Sequence, residues 1–450
     1  MKAAFLIAAP HSGSGKTTIA RGLMALFHSK GYIVQPFKCG PDYIDTKFHE
    51  AVCGRPSVNL DSYFASPIHL QRLFLHYTEG ADIAIAEGMM GLFDGFDRDR
   101  GSSAEIARLL SLPVLLVVDA ASAAYSMAAL LQGFTHFRPD VRFLGVVFNK
   151  VGSPRHAQML RQVCEDLRLP CLGCLPKNPE LETPSRYLGL DFSGSLPLAP
   201  CSSPLAPFLE EHLEWETMLR LSPLSPCSLP PAPCPLHLAP CPLPPAPEPP
   251  FRTLVARNAE SFSFIYRETL DRLAALGPVC FFDPETDVAP SFGEVSLLYL
   301  PGGYPERHLP SLSAAASVRR AVRDYAERGG RVLAECGGMM YLTQSIATDE
   351  GCYPMCGVLP CRISARKADR HLSLGYRHFC HRGAEYRGHE FHYTQVEGGD
   401  WDAQDSSVRL DAVFDAKGLR VPNPIVRRWN VIASYTHLYW GEQDPLRLFE

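Results

Sequence analysis

Residues 222–250 read "SPLSPCSLPPAPCPLHLAPCPLPPAPEPP". Proline this dense removes backbone donors and fixes φ, so neither helix nor sheet can form there. A chain interrupted in this way near its middle has to fold as two bodies joined by a semi-extended tether. Its length of 450 residues agrees, being too long for one ordinary core. A weaker echo, "LPLAPCSSPLAP" at 196–207, marks the end of the first body. The expected division is therefore 1–200, a Pro-rich linker over 201–250, and 251–450. Cys227, Cys234 and Cys241 recur every seven residues in the linker. Zinc sites usually pair cysteines about two to four apart, so this spacing favours a tether over a metal site.

On both sides of the break, short apolar runs alternate with helical patterns, as in parallel α/β domains. Strand candidates are 3–9, 81–86, 113–119 and 143–149 in the first half, and 253–256, 296–300 and 331–335 in the second. A composition of 46 % hydrophobic and 20 % charged residues is that of a soluble globular protein. The net charge of −5 gives no general case for a nucleic-acid partner. The opening "MKAAFLIAAPHSGSGK" has a short apolar run, but it enters a glycine-rich loop rather than a cleavage site. No apolar stretch reaches the ~18 residues of a membrane span. Fifteen cysteines without a secretory signal do not read as a disulfide framework. The expectation is a cytoplasmic protein with reduced thiols.

"PHSGSGKTT" (10–18) follows an apolar strand and enters a helix whose Ile19, Leu23, Leu26 and Phe27 share one face. Backbone N–H groups of Ser12, Gly13, Ser14 and Gly15, with the positive end of the helix dipole, can cradle a triphosphate. Lys16 would reach the β- and γ-phosphates, the Thr17 hydroxyl would ligate Mg²⁺, and Thr18 continues the cradle. The usual phosphate-loop pattern has a glycine where this chain has Pro10. Glu87 directly follows a strand, and Asp45 lies in "KCGPDYIDTKFH" (38–49), where Gly40 and Pro41 force a loop. Either carboxylate could complete a magnesium site at the carboxyl edge of the sheet. Asn149 and Lys150 close another strand and could touch the adenine base.

"AECGGMMYL" (334–342) has the strand–nucleophile–glycine–helix order of a nucleophile elbow around Cys336. Its two glycines permit a tight turn and let backbone N–H groups approach an oxyanion. "LYLPGGYPE" (298–306) supplies a second glycine pair, a natural other wall. His437, after a late apolar strand, is the candidate base for the thiol. In "RGHEFHYT" (387–394), His389 and His392 point to opposite faces of a strand, which disfavours a shared metal. They and Glu390 read either as substrate-lining residues or as a solvated strand.

Together these segments resemble the cobyrinate a,c-diamide synthase family. The similarity rests on "IAAPHSGSGKTTIARGL", "PFKCGPDYIDTKFH", "AEGMMGLFDG", "PSRYLGL", "YLPGGYPE", "AECGGMMYL", "GHEFHYT" and "SYTHLYW", in that order along nearly the whole chain apart from the proline linker. The family uses a loop similar to "AAPxSGxGKT", which accommodates Pro10. The resemblance implies an α/β protein with a dethiobiotin-synthetase-like P-loop domain, then a flavodoxin-like class I glutamine amidotransferase domain. It implies an ATP-dependent amidoligase in cobalamin biosynthesis with L-glutamine and a corrinoid as partners. Cys336 and His437 would release ammonia from glutamine, with Gly303 and Gly337 as oxyanion donors. ATP and Mg²⁺ would activate the ring's a and c carboxylates. Asp45 and Glu87 map onto positions tied to metal and substrate, with Asp42, Tyr43 and Asp94 in the matching loops. Many class I domains place a glutamate two residues after the catalytic histidine; here that position is Tyr439. A dyad, or an acid such as Glu442 or Asp444, must replace it.

The resemblance leaves the macrocycle open among cobyrinate, hydrogenobyrinate and nickel sirohydrochlorin, and it leaves the oligomeric state open, a homo-oligomer included. Cobyric acid synthase is the nearest rival reading. A regulatory P-loop ATPase with an inactive amidotransferase-like module is the rival from another class, and the presence of both Cys336 and His437 counts against it.

Overall fold

A computed structural model describes residues 3–178, 204–223, 251–397 and 406–450. The chain divides into two compact units, Met1–Ala239 and Pro240–Glu450.

In the first unit, apolar runs such as "AAFLIA" and "VLLVV" are buried throughout, as strands covered on both faces must be. They are β1 (Ala3–Ala8), β2 (Val34–Cys39), β3 (Val58–Leu60), β4 (Ile83–Glu87), β5 (Val114–Asp119), β6 (Phe143–Val151) and β7 (Cys171–Pro176). They form one sheet of order β3-β2-β4-β1-β5-β6-β7, with all pairings parallel. The connecting helices are α1 (Lys16–Ser29), α2 (Asp45–Cys53), α3 (Pro67–Thr78), α4 (Ser103–Leu109), α5 (Met127–Phe137) and α6 (Pro154–Asp166). β1 sits between β4 and β5, so a crevice opens beyond its carboxyl end, where the glycine-rich loop enters α1. α1 buries Ile19, Leu23, Leu26 and Phe27, the face expected from their spacing.

The expected start of the linker needs correction. Residues 204–223 carry α7 (Leu205–His212) and α8 (Trp215–Leu221), both belonging to the first unit. Leu209, Leu213 and Met218 are buried in the same core as α1. A Cβ on Gly22 of α1 would collide with the Leu209 side chain, so that glycine is the notch into which α7 fits. Phe27 meets Trp215 edge-on at 6.4 Å. An apolar stripe at helical spacing outweighs the local prolines, because Pro207 lies in the first turn of α7, where a missing N–H costs little. Residues 179–203 and 224–250, with "PSRYLGL" and the three linker cysteines, lie outside the described residues.

The second unit continues with β8 (Thr253–Ala256), α9 (Arg267–Leu276), β9 (Val279–Phe282), β10 (Leu297–Leu300), α10 (Leu309–Ala314), α11 (Ala316–Glu327), β11 (Val332–Glu335) and α12 (Gly337–Leu342). Then come β12 (Ser345–Ala347), β13 (Cys352–Pro354), β14 (Arg362–Ser364), β15 (Ser373–His381), β16 (Ala384–His392) and β17 (Gln395–Val396). The last elements are β18 (Val408–Asp411), β19 (Phe414–Asp415), β20 (Ile425–Arg428), β21 (Val431–Ser434) and β22 (His437–Leu438). The main sheet runs β18-β20-β21-β11-β10-β8-β9. It is parallel from β9 to β21 and antiparallel at β20 and β18. Side chains of β10 alternate between two cores, Leu298 and Leu300 on one face and Leu297 and Tyr299 on the other. β15, β16, β19 and β22 make a separate antiparallel sheet that brings β22 against β16.

Candidate active sites

The glycine-rich loop of the first unit is braced from within and from β6. Ser14 Oγ donates to His11 O at 2.9 Å, and Asn149 Nδ2 donates to Ser14 O at 3.0 Å. Gly15 caps α1 with φ +96°, and a Cβ there would overlap the Asn149 amide. Asn149 therefore positions the loop, a role its sequence context did not suggest. It also lines a cavity of about 490 Å³ together with Lys16, Thr18, Leu175, Phe208 and Leu209. Gly13 and Thr17 border that cavity too, whereas Ser12 is an exposed loop residue. Lys150 lines the same cavity, its ammonium paired with Asp119 at 2.7 Å.

Lys16 Nζ donates to Met90 O at 2.6 Å, on a loop that Asp94 holds by accepting from Gly91 N at 2.9 Å. Thr17 Oγ1 donates to Glu87 Oε1 at 2.6 Å. The buried Lys38 ammonium lies 2.9 Å from the same Glu87 oxygen and 2.8 Å from Asp45 Oδ2. His49 Nε2 meets Glu87 Oε2 at 2.8 Å. Asp42 Oδ1 accepts from the Ile44 and Asp45 amides, so it fixes the turn that aims Asp45. Tyr43 beside it is buried. Burial alone would raise the Glu87 carboxyl, but Lys38, His49 and Thr17 hold it well below the usual range. Asp45 is pushed up to about 6 by burial and by the Glu87 carboxylate, against the pull of Lys38. Burial opposes the charge on Lys38, yet Asp45 and Glu87 raise it well above the ordinary value. Lys16 is lowered by burial and by the neighbouring Lys38. Sequence reasoning found Thr17, Asp45 and Glu87 but missed Lys38 and His49. The available signal was the pair of basic residues flanking Asp45 in "KCGPDYIDTKFH".

In the second unit the elbow forms between β11 and α12. Cys336 adopts φ +46° and ψ −106°, a strained conformation for a residue with a side chain. Its N–H donates to Ser434 O on β21 at 2.7 Å, and its carbonyl accepts from Met340 N at 3.0 Å, which holds the strain in place. The sulfur lies 4.0 Å from Phe391 O on β16. A Cβ on Gly337 would stand 3.1 Å from Gly303 N and 2.8 Å from Pro305 Cδ. A Cβ on the preceding Gly302 would overlap the His437 imidazole. The Gly302–Gly303 pair thus touches the elbow on one side and His437 on the other, which brings Cys336, Gly337, Gly303 and His437 around one site. Burial, then the Glu306 carboxylate, pushes the Cys336 thiol far up. Burial, with His389 and His392 beside it, pushes His437 down to about 3. The resting pair is a neutral thiol and a neutral imidazole, the form in which a histidine can accept a proton.

Glu335, which precedes the thiol, went unnoticed in the sequence. Its Oε2 accepts from Tyr299 OH at 2.8 Å; its Oε1 accepts from Leu438 N at 3.2 Å and Trp440 Nε1 at 3.3 Å. One buried carboxyl therefore ties the strand before Cys336 to the residue after His437. Burial pushes it up to about 7. Tyr439, where many relatives of the wider class carry a glutamate, hydrogen-bonds the Glu268 carboxylate. Asp444 Oδ1 caps the final turn by accepting from Leu446 N at 3.0 Å. Glu442 is half-buried in the same segment.

The "GHEFHYT" strand is not a solvated one. Glu390 is fully buried; its Oε1 accepts from Ser373 Oγ, His392 Nε2 and Asn423 Nδ2, and its Oε2 from Arg377 Nε at 2.6 Å. Burial would raise this carboxyl, yet His392 and Arg377 hold it at about 2. The His392 ring stacks on Tyr435 with centroids 3.6 Å apart. His389 pairs across the sheet with His437, and burial together with Arg377 pushes it down to about 3. As its spacing requires, His389 does not share the Glu390–His392 face. Among the described residues, no group of three or more His, Cys, Asp or Glu side chains is arranged to hold a metal, and no helix is long and apolar enough to cross a membrane.

Known proteins match both units. Residues 5–190 match the CobQ/CobB/MinD/ParA nucleotide binding domain. Residues 254–445 match the CobB/CobQ-like glutamine amidotransferase domain. The hydrogenobyrinate a,c-diamide synthase of Brucella abortus is 40 % identical over 446 residues, covering 96 % of this chain and 98 % of its own length. The protein of the same name from Streptomyces coelicolor is 37 % identical, covering 97 % of this chain and 94 % of its own length. The cobyrinate a,c-diamide synthase of Synechocystis is 35 % identical, with 97 % and 90 % covered. A nucleotide-binding unit built on the 10–18 loop and an amidotransferase unit built on the Cys336 elbow, matched together over nearly the whole length, place this chain in the hydrogenobyrinate/cobyrinate a,c-diamide synthase family.

Proposed function

We propose that this protein converts the a and c carboxylates of a corrinoid ring to amides, using ATP and glutamine nitrogen. The observation that carries the reading is the Cys336 elbow, held at φ +46° with Gly303, Gly337 and His437 around it, in the same chain as a phosphate loop. Cys336 attacks the side-chain carboxamide of glutamine while His437 takes the thiol proton. The N–H groups of Gly303 and Gly337 receive the developing oxyanion. His437 returns the proton to the leaving nitrogen, ammonia departs, and water releases glutamate from the thioester.

The first unit makes the acceptor reactive. A carboxylate is a poor electrophile for ammonia, so the γ-phosphoryl group of ATP is transferred to it, giving ADP and an acyl phosphate. Ammonia then attacks the acyl carbon and phosphate leaves; the cycle repeats on the second carboxylate. Lys16 reaches the β- and γ-phosphates. The Thr17 hydroxyl donates to Glu87, and the Glu87 and Asp45 carboxylates flank the Lys38 ammonium; these three oxygens are hard donors suited to Mg²⁺. Bound there, Mg²⁺ would supply charge neutralisation at the phosphates. Asp42, Tyr43 and Asp94 border this centre as supports of the loops that meet the ring. The cysteines among the described residues are free thiols, which supports a cytoplasmic enzyme.

The names of the 37–40 % identical relatives favour the metal-free ring, hydrogenobyrinate, over the cobalt form. The test supplies purified protein with Mg-ATP and glutamine and offers hydrogenobyrinate, cobyrinate or nickel sirohydrochlorin, with mass spectrometry of the ring. Two carboxyl-to-amide conversions on the byrinate ring are expected. The C336S chain should lose the glutamine-dependent reaction and keep the one driven by ammonium salt. Four additions to an a,c-diamide would assign a cobyric acid synthase. ATP turnover with no glutaminase activity would leave a regulatory ATPase.

A further inference from the structure

Behind the glycine pair of the second unit lies a polar cluster. β10, β8 and β9 are successive neighbours in the sheet, so the loops that follow them meet in that order at its carboxyl edge. The loop after β10 carries Gly302 and Gly303. The loop after β8 presses on it from behind: a Cβ on Gly303 would stand 2.3 Å from Ser261 O and 2.5 Å from Glu260 O. Main-chain hydrogen bonds join the two loops, Tyr304 N donating to Glu260 O at 3.1 Å and Ser263 N to Gly302 O at 2.9 Å. Toward the elbow, Gly303 N and Pro305 abut Gly337. Gly303 is thus held between the Cys336 turn and the Glu260–Ser261 backbone.

We propose, resting on the amidotransferase reading of the Cys336 elbow, that Glu285 in the loop after β9 is a positioning residue for the Gly303 oxyanion donor. Its Oε1 accepts from Asn258 Nδ2 at 2.7 Å and from Ser261 Oγ at 2.6 Å, both in the loop after β8. Its Oε2 accepts from Ser311 Oγ at 2.8 Å and faces His308 Nδ1 at 3.2 Å, both just past the glycine pair in the chain. His308 Nε2 in turn lies 3.1 Å from Glu260 Oε2. Asn258 Oδ1 closes the loop after β8 on itself by accepting from Phe262 N at 3.0 Å. One half-buried carboxylate therefore fastens the segment behind Gly303 to the segment that follows it. Hydrogen bonds to an ionised carboxylate are roughly twice as strong as neutral ones.

The need for such a fastening is mechanical. An oxyanion donor is effective only where its N–H already points at the place the charged oxygen will take. Gly303 has no side chain to anchor it, so its position is set by what its backbone rests against. Without Glu285, the loop after β8 keeps its main-chain bonds to Gly302 and Tyr304 but loses its ties to Ser311 and to the Glu285 side of His308. The two ends of the glycine loop can then shift against each other. A shift of ~1 Å costs on the order of 10²-fold in rate, and the loss falls on the transition state rather than on glutamine binding.

The test compares the parent chain with E285A and E285Q for glutamate release from glutamine, and for iodoacetamide labelling of Cys336 read by mass spectrometry. Iodoacetamide alkylates a thiol without forming an oxyanion, so it reports the nucleophile and not the donor beside it. In E285A, kcat should fall on the order of 10²-fold, with the KM for glutamine and the Cys336 labelling unchanged. E285Q keeps an oxygen for Asn258 and Ser261 but turns an amide toward Ser311 and His308, so its kcat should lie between the two. If E285A fails to fold, S261A and S311A, each deleting one hydroxyl donor to Glu285, should each lower kcat severalfold at unchanged KM. A kcat equal to the parent's in these variants would overturn the proposal. So would a raised KM at constant kcat, or labelling that falls in step with kcat. A parent chain without Cys336-dependent glutamate release would overturn the amidotransferase reading itself, and this role with it.

Discussion

At the scale of single residues, Gly302 and Glu335 carry more of the amidotransferase site than their sequence positions suggest. Gly302 is small because the His437 ring occupies the space its Cβ would need. In G302A the imidazole has to move, and a displacement of about 1 Å costs on the order of 10²-fold in rate. Glutaminase activity should fall by about that factor, while nucleotide binding, read by fluorescence titration of an ATP analogue, stays unchanged. Glu335 acts through protonation. In the folded chain it sits at about 7 against a reference of 4.5, so between those values the folded state holds a proton that the unfolded state has released. Its contribution to stability is complete below pH 4.5 and is lost as pH rises through 7, a change of about 3 kcal/mol. E335Q cannot ionise, so its unfolding free energy in urea should lack that fall relative to the parent chain. Equal slopes for the two proteins would show that Glu335 does not titrate there. Cys336, Gly337, Gly303 and His437 were legible because a nucleophile on a tight turn demands glycines in fixed places. Glu335 was not, because its partner lies 103 positions away in the numbering, and Gly302 was legible only as half of a glycine pair, its contact with His437 lying 135 positions away where no local pattern records it.

At the scale of elements, the strands that carry the sites announce themselves through apolar runs, and seven of them fall close to their expected bounds. β2 does not, because Pro36 interrupts "VQPFKC". The structure tolerates it because pairing with β3 begins one residue later, at Phe37, so the missing N–H falls where no strand yet stands on that side. That overlooked strand delivers Lys38, which explains why the cation between Glu87 and Asp45 was missed along with it. K38M would leave two buried carboxylates without their ammonium, a loss of about 3–5 kcal/mol, measurable by urea denaturation of the first unit. Helices α7 and α8 were hidden by the prolines around them, yet Leu209 and Met218 are as buried as the centre of the sheet. L209A should destabilise the first unit by about 2–5 kcal/mol through the cavity it leaves against Gly22. If α7 were an incidental part of the tether, the same change would cost nothing.

At the scale of the whole molecule, each unit closes its own cores: one cluster includes α1, α7 and α8, and two separate clusters lie on the faces of the second sheet. Each unit also carries a complete candidate site of its own. Ligands that bind only the folded state stabilise it by mass action, about 2.7 kcal/mol at a hundredfold excess over Kd. Because the ligands address different units, a single unfolding free energy does not describe this chain. Differential scanning calorimetry should show two transitions. Mg²⁺ with a non-hydrolysable ATP analogue is expected to raise one of them, and K16A to abolish that shift alone. A glutamine analogue that alkylates the nucleophilic thiol is expected to raise the other, with the shift absent in C336S. If both ligands moved one common transition by equal amounts, the two chemistries would belong to one cooperative body, and assigning each to its own unit would be wrong.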